Sequence, residues 1–161
     1  MRIIHAVVAT AFAASTLISG QALAVTATGN LKVKIKIKAE CTVAADTENT
    51  LDFGEVSFID NDLDVDGSLT VRCTKGTDYT IGLGDGENGD RTMDDGASNS
   101  IAYELYSNSD RDANWGTGGS AVSDEGNGAE QTHTVYGRVP APAEQPAPGD
   151  YEDTVAITVT Y

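Results

Sequence analysis

The chain has 161 residues, 25 Asp and Glu against 10 Lys and Arg, a formal net charge of −15, and two cysteines. A surface this acidic repels nucleic-acid phosphates and anionic membranes, so neither is expected as a partner. The charge is also divided: residues 25–38 hold four lysines and no acid, while residues 39–161 hold all 25 acids against five Lys and Arg.

In chain order, Arg2 is followed by an apolar run from Ile3 to about Ile18 and then by Gln21-Ala22-Leu23-Ala24. This pattern predicts a secretory signal peptide over 1–24 with an A-x-A type cleavage site, and an exported mature chain from Val25. The run is shorter than the roughly 20 apolar residues of a membrane span, so no direct membrane insertion is expected. About 137 residues remain, which predicts one domain with one core.

Residues 25–38 alternate strictly. Ala27, Gly29, Leu31, Val33, Ile35 and Ile37 are small or apolar, and Lys32, Lys34, Lys36 and Lys38 stand between them. Alternation of this kind predicts a strand with one buried and one wet face. From Leu31 to Ile37 it would cover about 20 Å at roughly 3.3 Å per residue. Burying the four aliphatics would contribute about 6–12 kcal/mol gross, as much as the net stability of a whole domain. Two readings follow from the pattern: the first strand of the chain's own sheet, or a strand added to the sheet of a neighbouring molecule.

Further strands are expected over 41–43, 51–58, 67–73, 79–83, 101–106, 132–139 and 154–161, separated by Gly-, Asn- and Asp-rich loops at 84–90 and 114–128 and a proline-rich loop at 140–150. After the signal peptide no apolar pattern of helical spacing is sustained, so the fold class is all-β, a sandwich or barrel. Cys41 and Cys73, in an exported chain, are expected to form one disulfide closing a loop of about 33 residues. The last strand is expected to carry Val155, Ile157, Val159 and Tyr161 on one face and to need a segment from elsewhere to pair with its outer edge.

The stretches TGNLKVKIKIKAECTV (28–43), LDFG (51–54), LTVRCTKGTDYTIGLGDG (69–86), IAYELYSNSD (101–110) and YGRVPAPAEQPAPGDYEDTVAITVTY (136–161) resemble the spore coat U domain family. Within it they are most similar to the major subunits of archaic, Csu-type chaperone-usher pili. The resemblance implies an incomplete immunoglobulin-like sandwich lacking its last strand. A periplasmic chaperone would supply that strand in transit, an outer-membrane usher would export the subunit, and the next identical subunit would supply the strand in the fibre. Leu31, Val33, Ile35 and Ile37 would then be the donor residues of an N-terminal donor strand over 25–38, with Ala27 and Gly29 at its shallow end. Residues 39–161 would be the pilin domain. Val155, Ile157, Val159 and Tyr161 would border the acceptor groove and be gripped by the chaperone. The implied function is a structural subunit of an extracellular surface fibre for adhesion and biofilm formation. The lysine run and the acidic body exceed the family's pattern and predict a salt-sensitive interface or a source living at high salt.

Three other constellations carry candidate chemistry. Asp62, Asp64, Asp66 and Gly67 imitate the start of a calcium loop, but its twelfth position, where a bidentate Glu is needed, is Cys73, so a solvated acidic loop is expected. His133 is the one histidine after the signal peptide and is expected on a solvent-facing strand position; no nucleophile elbow, phosphate loop or dinucleotide fingerprint accompanies it, so no enzyme and no cofactor are expected. Trp115 is expected to pack against one end of the sandwich. The competing reading is a monomeric secreted β-sandwich that binds calcium or carbohydrate.

Overall fold

A computed structural model describes residues 24–44 and 49–161. Residues 1–23 of the expected signal peptide lie outside the described residues. The chain divides into two units, residues 1–35 and 36–161. In the first, residues 24–35 form no strand and are exposed throughout.

The second unit is built from strands. These are β1 (Cys41–Val43), β2 (Leu63–Cys73), β3 (Asp78–Leu83), β4 (Thr92–Asp94), β5 (Ser100–Ala102), β6 (Glu104–Tyr106), β7 (Val122–Glu125), β8 (Glu130–Val139) and β9 (Ile157–Thr160). One sheet has the order β1-β2-β8-β6, a second β7-β3-β9, and β4 and β5 form a hairpin. Every pairing is antiparallel. The arrangement is an immunoglobulin-like sandwich, and its long strands are those whose sequences alternate: in β2 and β8 the odd positions Leu69, Val71, Cys73, Val135 and Val139 are buried, as are Tyr79, Ile81 and Leu83 of β3. Trp115 fills the space between them and its indole Nε1–H donates to the Ile81 carbonyl at 2.9 Å, so the ring is buried and its polar handle satisfied.

Cys41 and Cys73 sit directly opposite each other in the β1–β2 register and form the disulfide, with Cα atoms 4.1 Å apart. On the chain-entropy view a bridge of this span contributes about 3–4 kcal/mol.

The structure departs from the expected elements at several places, among them β7, which forms inside the expected loop 114–128, and β4, where no strand was expected. The alternation of 51–58 does not make a strand, because Leu51 and Phe53 fill a trough left by two glycines. A Cβ on Gly67 would lie 2.8 Å from the Leu51 Cβ, and one on Gly137 would lie 2.6 Å from Leu51 Cδ1 and 3.1 Å from Phe53 Cζ. The segment makes a single bridge, Thr50 to Ser68, and then turns at Gly54, whose φ of +73° suits glycine. The expected strand 101–106 is split. β5 pairs with β4 and β6 with β8, and between them the Tyr103 N–H donates to the Arg91 carbonyl at 2.9 Å. The DNDLDVDG stretch is no loop: β2 starts inside it. Asp64 stands opposite Arg138, which binds it through two nitrogens at 2.7 and 2.8 Å, and Arg111 reaches Asp66 at 2.6 Å. The Arg138 hydrogen bonds hold the Asp64 carboxyl below the usual carboxylate range.

Candidate functional site at the free edge of β9

β9 exists because its alternating Val and Thr residues find a ladder on one side. Its register with β3 joins Thr80 to Thr160, Ile81 to Val159, Gly82 to Thr158 and Leu83 to Ile157, and the Gly84 N–H continues the ladder to the Ala156 carbonyl at 2.9 Å. On its other side β9 has no strand neighbour among the described residues, since it ends the order β7-β3-β9. β1 ends the other sheet and comes within 8 Å of β9, Cα to Cα. The two sheets therefore present unpaired edges on the same side of the sandwich.

The burial pattern matches this vacancy. In β3, one strand inward, Tyr79, Ile81 and Leu83 are at most 3% exposed. Val155, Ile157 and Val159 pack against the same core from the edge but are only partly buried. Tyr161 is 59% exposed. The beginning of the segment is fixed: the Asp153 carboxylate accepts hydrogen bonds from the Tyr103 hydroxyl, the Glu87 N–H at 2.9 Å and the Thr154 N–H at 2.8 Å. Burial, reinforced by that carboxylate, pushes the Tyr103 phenol up, so it stays a donor. In addition Asp94 and Glu152 exchange backbone hydrogen bonds of 3.0 and 3.1 Å. A pinned strand with a free outer edge and a half-covered apolar face can take one more strand by main-chain pairing.

Of the residues expected in the site, Val155, Ile157, Val159 and Tyr161 lie along this edge. Leu31, Val33, Ile35 and Ile37 are 89%, 84%, 86% and 69% exposed, and Ala27 and Gly29 are exposed as well. An exposed segment with four large apolar side chains in water is an unmet requirement of the same kind.

His133 is not solvent-facing as expected. Its Nε2 lies 3.1 Å from the Tyr79 hydroxyl and 3.7 Å from Asp124, beside the Trp115 ring, so it joins the two sheets from within. Burial lowers its pKa, against the opposing pull of Asp124. The signal was in the sequence: His133 shares its parity with Val135 and Val139 of the same strand. Among the described residues no group of three or more His, Cys, Asp or Glu is placed to hold a metal ion, and no helix is long and apolar enough to cross a membrane.

An all-β sandwich with a half-covered terminal strand defines a structural protein class, and the comparisons name it. The Spore Coat Protein U domain model matches residues 27–158, so the chain belongs to the Spore Coat Protein U domain family, which is structural and not enzymatic. Protein U of Myxococcus xanthus is 34% identical over 174 residues, covering 97% of each chain. Among solved structures, the fold is shared with a chain of the CsuC–CsuE chaperone–tip adhesion subunit pre-assembly complex from archaic chaperone-usher Csu pili of Acinetobacter baumannii. That match has a TM-score of 0.56 and 22% identity over 78% of this chain and 40% of that chain.

Proposed function

We propose that this protein is a chaperone-usher pilin, a structural subunit that polymerises head to tail by donor-strand complementation. The observation that carries the reading is a pair of complementary deficits in one chain. Val155, Ile157 and Val159 line an unpaired edge with a half-covered face, and Leu31, Val33, Ile35 and Ile37 alternate along an exposed segment without a sheet. Residues 25–38 of one subunit pair with β9 of the next and cover its apolar face. A contact between two different surfaces of identical molecules propagates into an open fibre. During transit a periplasmic chaperone holds the β9 edge, an outer-membrane usher exchanges it for the incoming donor strand, and the fibre reaches the cell surface, where it serves adhesion and biofilm formation. The Csu complex, a chaperone bound to a pilus subunit, supports this by likeness of fold. The 1–24 signal peptide fits the same route, and residues 39–161 form the acceptor domain. The calcium and carbohydrate alternative loses its acidic loop to the Arg111 and Arg138 pairs.

The test is expression of the exported chain with a matched chaperone and usher, followed by SDS electrophoresis of sheared surface material with and without boiling. A ladder that collapses on boiling and is absent from a variant lacking residues 25–38 is expected. A monomer in both lanes from the intact chain would overturn the reading.

A further inference from the structure

β6 and β7 end the two sheets on the sides opposite to β1 and β9. β6 accompanies β8 only from Glu104 to Tyr106, opposite Arg138 to Tyr136, and the chain then folds back, with the Ser107 N–H donating to the Ala113 carbonyl at 3.0 Å. Among the described residues, β8 from Thr132 to Thr134 therefore has no strand neighbour on that side. A cleft of about 240 Å³ opens there, lined by Ser107, Trp115, Thr132, His133, Thr134 and Tyr136. In a chain with 25 acids, none of these side chains is charged at neutral pH, since burial lowers the His133 pKa.

Their polar atoms are unequally committed. The Tyr79 O–H donates to the Asp124 carboxylate at 3.2 Å, so its oxygen accepts from His133 Nε2–H at 3.1 Å and leaves Nδ1 as a bare acceptor. Among the described residues no side-chain nitrogen or oxygen is both buried and unpartnered, so Nδ1 meets the outside, through the cleft that His133 lines. The Thr134 and Tyr136 hydroxyls likewise take no partner from the described residues. Arg111 holds the Tyr136 ring, with its guanidinium 5.6 Å from the ring centroid and its charge answered by Asp66 at 2.6 Å.

We propose that this cleft is a binding site for one uncharged sugar residue, with the Thr134 and Tyr136 hydroxyls and His133 Nδ1 as its hydrogen-bonding groups. Sites for drug-sized ligands run to about 300–1,000 Å³, so a cleft of about 240 Å³ limits the occupant to a single small ring. One acceptor nitrogen and two hydroxyls that both donate and accept match a ring of hydroxyls, which does the same. An apolar ring would strip water from these atoms without replacing its hydrogen bonds. An anionic ligand would meet the field of an acidic body. Because Arg111 already fixes Tyr136, less freedom is lost when the ligand seats. The site does not depend on strand donation. If subunits polymerise through β9, the cleft lies at the other end of each sheet, and a fibre carries one per subunit, which turns weak single contacts into avid attachment.

Trp115, the only tryptophan of the chain, lines the cleft and reports on it. In the full chain its emission should change saturably with at least one of glucose, galactose, mannose and N-acetylglucosamine, with a Kd of about 1–10 mM. Thr134→Val and Tyr136→Phe each remove one hydroxyl and keep the shape, and each should weaken that affinity about tenfold. Both positions alternate with the buried Val135 and Gly137, so the core keeps its packing. Thr42→Val, on β1, should change nothing. Glucuronate and galacturonate, which add a carboxylate to the ring, should bind at least about tenfold more weakly than the best neutral sugar. A response that stays linear for all four sugars, an affinity that survives both substitutions, or equal binding of the uronates would overturn the site, and strand donation would stand in each case.

Discussion

Residues 31–37 and 155–161 are the same kind of sequence in two different states. Each alternates four large apolar side chains with polar or small ones over seven residues. One is paired along β3 with its apolar face half covered; the other pairs with no strand among the described residues and exposes its aliphatics to water. The difference shows that alternation specifies a face and leaves the partner open. β9 acquires its place from the ladder to β3 and from the Asp153 anchor, and what it still lacks is a neighbour about 20 Å long. That is the length of the free segment. On the strand-donation reading, each region supplies what the other is missing, and the lysines keep the unpaired one from joining edges at random.

The largest expected effect tests whether the edge is in fact less covered than the strand beside it. Ile81 is fully buried and Ile157 partly so, and both face one core. Replacing each by Ala should cost about 4 kcal/mol at Ile81 and about 2 kcal/mol at Ile157, because a half-covered site loses less burial and leaves less of a cavity. Urea unfolding of the unassembled protein measures both. Equal losses would mean that β9 is already as enclosed as β3, and the contrast between the two alternating segments would fail. If residues 25–38 of a second copy pair with β9, the gap should narrow in assembled material as Ile157 becomes covered.

How much of this could be read from the sequence depended on how far each partner lay. The strands of β2, β3, β8 and β9 were legible from alternation alone, since each is long enough or regular enough to show its period. β4 and β7, at three and four residues, are too short to show one. The trap at 51–58 was an alternation serving another purpose, the filling of the space above Gly67 and Gly137, and two glycines 70 positions apart announce no such trough. Likewise DNDLDVDG looked like a loop because Asp62, Asp64, Asp66 and Gly67 imitate the spacing of a calcium loop. Arg138 comes to Asp64 from 74 residues away, and only the β2–β8 register brings them together. The β9 edge was legible as an edge, and Asp153 as its anchor was not, because Tyr103 is 50 residues distant.

A smaller effect separates the interior of the sandwich from its edge by pH. His133 is held neutral between the sheets by burial, with its pKa lowered from 6.5. The folded state therefore binds its proton less readily than the unfolded state. The contribution to stability is complete above pH 6.5 and is lost as the pH falls from there through the folded pKa. Denaturant midpoints of the unassembled protein should thus decline from pH 7.5 to 5.5. His133→Gln, which keeps a polar partner for the Tyr79 hydroxyl, should flatten that decline. An unchanged slope in the variant would show that His133 is not the group responsible.

The smallest expected effect is the most discriminating. A charge placed in a core costs several kcal/mol because it must be desolvated without a partner, and the same charge on an exposed side chain costs almost nothing. Ile35 is 86% exposed in the single chain. Ile35→Asp should therefore leave the unfolding midpoint of the unassembled protein unchanged within about 0.5 kcal/mol, whereas Val159→Asp, at an equivalent place in the other alternating segment, should lower it steeply. If residues 25–38 belonged to the chain's own sheet, both substitutions would be severe, and the symmetry between them would return the N-terminal segment to an intramolecular strand.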